Sequence, residues 1–188
     1  MKNFWERIRD MYLNPAVGVP AVVREGTFPE AFRIVMVAAV VTTIAAYGAS
    51  VQTEAPMHIG VALFMVCFTV IMWVFEAAVS FVVAKSLGGR GEYRTLLMTN
   101  GYATYMSVVL GVIEMFLLLI RAPGILSSII ETVLCVWMFI IGVIVLREVM
   151  HISTGKAIAV TVIPIFIIVV ITLLLVTAYV AGGGQLPG

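Results

Sequence analysis

Glu76 is the side chain best placed to do chemistry, because it stands well inside the apolar run 59–87. A carboxylate at mid-bilayer depth is expensive and normally faces a partner, a cavity or an ion path. No Lys or Arg falls at a similar depth in any other run, so two readings stand. One is a neutral acid hydrogen-bonded to Asn100, Tyr102, Thr104 or a backbone carbonyl; the other is a proton or ion site. Glu114 lies nearer the end of its own run, and Arg121 follows two turns later on the same helical face, which predicts pairing or snorkelling. His58 and His151 fall in connections on opposite sides, and no His, Cys and carboxylate set has ligand spacing, so no metal or cofactor is expected. Cys67 and Cys135 sit inside apolar runs, where a thiol packs as a small hydrophobe. Gly88-Gly-Arg-Gly91 offers either a backbone nest for an anion such as a lipid headgroup or a plain turn between helices. Phosphate-binding, nucleophile-elbow and zinc-protease signatures are missing, and no His stands near an intramembrane Ser or Thr as a base. No catalytic residue is assigned and no enzyme is expected.

The elements that position these groups follow from composition. Hydrophobic residues make up 62% of the chain and charged residues 11%, against roughly 45–50% and about 25% in soluble domains. This is a membrane composition. A net charge of +1 with no basic stripe excludes nucleic acid as a partner. The expected fold is all-α: a polytopic membrane protein with five transmembrane helices at about 31–50, 59–87, 93–120, 126–149 and 154–181. Residues 1–30 form a cytoplasmic segment, and 182–188 a short disordered external tail. Lys2, Arg7 and Arg9 precede no continuous apolar core, so no cleavable signal peptide is expected.

Within 2–13, Phe4, Trp5, Ile8, Met11 and Tyr12 recur at helical spacing, which predicts an amphipathic helix. Its Trp and Arg residues favour the membrane interface, although docking on the protein's own loops gives the same pattern. Asn14-Pro15 should end it, and Pro20, Gly26 and Pro29 should break the chain again before the first span. Small residues at Ala38, Thr42, Ala46 and Ser50 form one ridge and Ala103, Ser107 and Gly111 another, which predicts that the first and third spans pack together. Ser153 is placed to cap the fifth span, and Pro164 predicts a kink in it.

Five spans put ten of the eleven Lys and Arg residues on one side and only Arg121 on the other. Merging or dropping a span would scramble that segregation. The positive-inside rule then makes the N-terminus cytoplasmic and the C-terminus external.

The turns on the basic side carry a resemblance. Leu87-Gly-Gly-Arg-Gly-Glu-Tyr-Arg, then Asn100-Gly-Tyr-Ala103, and finally Arg147-Glu-Val-Met-His-Ile-Ser-Thr-Gly-Lys-Ala157 together resemble the Yip-domain family of five-span membrane proteins, named for interacting with Ypt/Rab GTPases. The positions that match its pattern are Gly88, Gly89, Gly101, Tyr102, Glu148, Ser153, Gly155 and Ala157. The resemblance implies a trafficking-type or membrane-organising scaffold working through its cytoplasmic turns. It implies as partners the lipid bilayer, other membrane proteins or a small GTPase-like protein, with self-association open. This chain lacks the long N-terminal region of the eukaryotic members and resembles a minimal prokaryotic relative of the cell membrane. The family pattern leads from Gly-Tyr to a proline a few residues on, where this chain has Ala103-Thr-Tyr-Met106. The alternative is a small transporter or channel component using Glu76.

Overall fold

A computed structural model describes residues 3–52 and 57–163, together with residues 166, 174 and 177. Helices run in the order α1 (Phe4–Leu13), α2 (Pro15–Glu25), α3 (Phe28–Gln52), α4 (Ile59–Ser86), α5 (Tyr93–Ala103), α6 (Tyr105–Leu119) and α7 (Gly124–Met150). An apolar helix α8 follows at Thr154–Ile163. Among the described residues four stretches are long and apolar enough to cross a bilayer: Phe28–Val51, Ile59–Ser86, Tyr93–Leu119 and Gly124–Met150. Of the expected fifth span, residues 154–163, 166, 174 and 177 are described; Pro164, the remaining residues of that span, the tail, Lys2 and the loop at Glu54 and Pro56 lie outside the described residues.

Local chemistry explains the helix starts. Asn3 and Glu6 form a capping box, each side chain accepting from the other's backbone N–H at 2.9 Å. Thr27 and Glu30 repeat that device at the head of α3, where Pro29 costs nothing because its missing N–H would have had no helical partner. Pro20 does not break the chain as expected; it lies inside α2. Val19 and Val22 on either side of it are fully buried. That burial outweighs the lost backbone bond.

Helix α1 covers the stretch where an amphipathic helix is expected, and part of it packs onto the protein. Ile8, Met11 and Tyr12 are buried, whereas Trp5 stays 65% exposed. Beyond it, α3 packs most extensively against α6, where Gly111 lies against Val41 and Thr42. Ala103 and Ser107, expected on the same ridge, line a groove beside α4 and α7. The predicted third span is interrupted at Thr104, so Ala103 ends α5 while Ser107 and Gly111 belong to α6. Cys67 and Cys135 are exposed rather than packed inside the bundle.

The buried core is concentrated at one end. It joins α1 and α2 to the start of α3, to α5 and to the end of α7. At the other end, large apolar side chains such as Leu63, Phe64, Ile125 and Ile129 face outward. In water that would be a liability; against lipid it is the expected surface.

Candidate functional site

The core end holds a polar cluster built from three distant parts of the sequence. Arg7 on α1 reaches 23 residues along the chain to α3 and donates to both carboxylate oxygens of Glu30, at 2.7 and 2.9 Å. Both bonds come from one nitrogen, Nη2, which bridges the two oxygens as a charge-assisted donor. Glu30 also accepts from the Thr27 hydroxyl at 3.0 Å and from the phenol of Tyr102 on α5. Burial works against the Arg7 charge, but hydrogen bonding and charge from Tyr102 and Glu30 outweigh it and hold the guanidinium above its ordinary pKa.

Tyr12 supplies the second lock, at the helix break. Its hydroxyl accepts from the N–H of Met106 at 3.2 Å and lies within donating distance of the carbonyls of Tyr102 (3.0 Å) and Ala103 (2.7 Å). In an unbroken helix the Met106 N–H would bond Tyr102 directly. A phenol has been inserted into that ladder, which is a recognised cause of a kink. The break therefore forms without the proline of the family pattern. Burial pushes the Tyr12 hydroxyl well above its ordinary pKa, so it stays protonated and able to donate.

Gly101 makes the crossing beside this lock possible, because a Cβ there would sit 2.8 Å from the Ala31 methyl. Trp73 of α4 closes the same corner and donates to the Leu97 carbonyl at 3.2 Å.

The other family positions meet elsewhere, at the tip of the same end. Gly88 takes φ +89°, a conformation that favours glycine. Arg90 N–H donates to the Met150 carbonyl at 2.9 Å, and Lys156 Nζ donates to the Leu87 carbonyl at 2.7 Å. The α4–α5 turn is thereby tied to both the end of α7 and the start of α8. A Cβ on Gly91 would lie 2.1 Å from the Val149 carbonyl oxygen, so this junction admits no side chain. The anion-nest reading of this turn fails: the N–H groups of Gly88, Gly89 and Arg90 already donate to Lys85, Ala84 and Met150.

Ser153 immediately precedes α8, and its carbonyl accepts from Ala157 N–H at 2.9 Å, with Ala157 fully buried. Glu148 pairs with its neighbour Arg147 at 2.7 Å on the surface. Gly155 is exposed, and a Cβ there would meet nothing within 4 Å. Gly88, Gly89, Ser153, Gly155 and Ala157 thus share one junction. Gly101 and Tyr102 lie about 13 Å farther along α5, taking ~1.5 Å per residue from Tyr93.

The intramembrane polar residues divide. Glu76, Asn100, Thr104 and Ser107 line one groove of about 330 Å³ between α4, the α5–α6 break and α7. Glu76 is exposed into it rather than hydrogen-bonded to Asn100, Tyr102 or Thr104 among the described residues. Glu114 does not pair with Arg121 among the described residues. Helix α6 ends at Leu119 and Arg121 turns into the left-handed region at φ 51°, off the face it would have shared. His58 precedes α4 at the opposite end from His151, the C-cap of α7.

Sequence reasoning missed Arg7, Tyr12 and Glu30. The Thr27-x-x-Glu30 spacing was a readable capping signal for one of them; nothing local marks the other two.

The profile of the Yip1 domain matches residues 2–176 of the chain, which therefore belongs to the Yip1-domain family. No curated protein and no solved structure matches it.

Proposed function

We propose that this Yip1-domain membrane protein is a five-span, non-enzymatic scaffold or membrane-organising factor, with its cation-rich end in the cytoplasm as its interaction face. The carrying observation is the pair of bonds, Arg90 to Met150 and Lys156 to Leu87, that makes two separate family motifs one surface. Cations support the orientation, since Arg121 is the one Lys or Arg assigned to the far side and the positive-inside rule places the rest in the cytoplasm. Helix α8 is the start of the fifth span, which carries the C-terminus outside. Partners of this face are other membrane proteins or a small GTPase-like protein. Externally applied thiol reagent should label a cysteine at Gly124 and miss one at Gly155; the reverse pattern inverts the topology.

A second reading rests on the groove at Glu76, whose polar lining suits a transporter or channel component. A solute-flux assay in liposomes with Glu76→Gln separates the two. The scaffold reading expects no protein-dependent flux, and flux abolished by this change would sink it.

A further inference from the structure

Two grooves flank α1, and their charges differ. On one side, Phe4, Trp5, Ile34, Val37, Tyr105 and Val108 enclose about 410 Å³ between α1, α3 and α6, with Glu30 and Arg33 at the rim. Glu30 is already committed to Arg7, Thr27 and Tyr102. Arg33 is exposed and has no ion pair among the described residues, so the rim carries one unneutralised positive charge. On the other side of α1 the cation is Arg9, which donates twice to Asp10, at 3.0 and 2.9 Å, and Glu6 lies beside it.

We propose that the first groove binds an anionic glycerophospholipid, its phosphate on Arg33 and an acyl chain on Ile34, Val37 and Val108. Depth supports the fit. Arg33 lies about 7 Å along α3 from its first residue, where a headgroup sits, and Val37 lies one turn (about 6 Å) deeper, toward the acyl chains. Trp5, amphipathic and 65% exposed, lines the groove beside them. The second groove has an apolar wall of its own, with Ile8, Leu13, Met106 and Val109, and its Arg9 is paired with Asp10. It should hold lipid without headgroup preference.

Native mass spectrometry of the purified full chain, offered equal amounts of dioleoyl phosphatidylglycerol and dioleoyl phosphatidylcholine, tests this. Retention should favour phosphatidylglycerol about fivefold, the effect of one arginine near a lipid surface. Arg33→Gln should bring the ratio close to one, Arg33→Lys should largely restore it, and Arg9→Gln should leave it unchanged. Val37→Trp, which fills the groove, should lower phosphatidylglycerol retention. A wild-type ratio near one, a ratio insensitive to Arg33→Gln, full retention in Val37→Trp, or loss of both lipids in a dimer of the chain would each overturn the assignment.

Discussion

At the cation-rich end, α1, α2, α3, α5 and α7 share buried side chains and are stitched by Arg7, Tyr12, Glu30, Tyr102, Arg90 and Lys156. At the opposite end, α4 and α7 begin with exposed apolar residues, and a Cβ on Gly60 or Gly124 would meet nothing within 4 Å. The contrast has a physical cause. Bundle packing in lipid gains little from apolar burial, so specific order there must come from close backbone contacts and hydrogen bonds. Among the described residues, the side-chain hydrogen bonds that join distant helices gather toward one end. Order of that kind is what the proposed interaction face would need.

The comparison breaks most readily at Glu30. Glu30→Ala leaves the Arg7 guanidinium, its side chain 7% exposed, without its carboxylate. A loss of about 3 kcal/mol is expected, read as reduced resistance to unfolding in denaturing detergent. Gly91→Val drives a side chain into the Val149 carbonyl and should cost ~1–3 kcal/mol. Gly124→Val at the other end should cost about 1 kcal/mol or less, since its side chain meets open space. Equal effects of the two valines would erase the distinction between the ends.

Tyr12→Phe removes the hydroxyl that completes the broken ladder and should cost about 1–2 kcal/mol. It also carries a pH signature. The folded-state pKa of Tyr12 is raised, so its contribution is fully present below the unfolded value of roughly 10 and is lost as pH climbs above it. Unfolding measured between neutral and strongly alkaline pH should show wild type losing stability above about pH 10 and Tyr12→Phe losing less. Identical alkaline profiles would remove Tyr12 from the lock. The smallest effect belongs to Lys156→Ala, whose exposed bond to the Leu87 carbonyl should be worth about 0.5–1 kcal/mol.

Sequence made the two ends only partly visible. Run length placed α4 and α7 within a few residues, because bilayer thickness imposes it. The meeting of the α4–α5 and α7–α8 turns was legible through charge and motif order. The break at Thr104 was not, since its cause is a hydroxyl more than ninety residues away, joined to Met106 only in the fold. Pro20 misled for a related reason: burial of Val19 and Val22 overrides a local rule. Arg7 counted as one more cation until the fold placed it against Glu30.

Gly155 and Gly124 are matched sites for the decisive measurement. Both are exposed, a Cβ at either meets nothing within 4 Å, and they begin α8 and α7 at opposite ends. A photocrosslinking residue placed at each, in native membranes, reads which end touches other proteins. The scaffold account predicts discrete protein adducts from position 155, weakened by Glu30→Ala, and none from position 124. Adducts from 124 with none from 155 would contradict it.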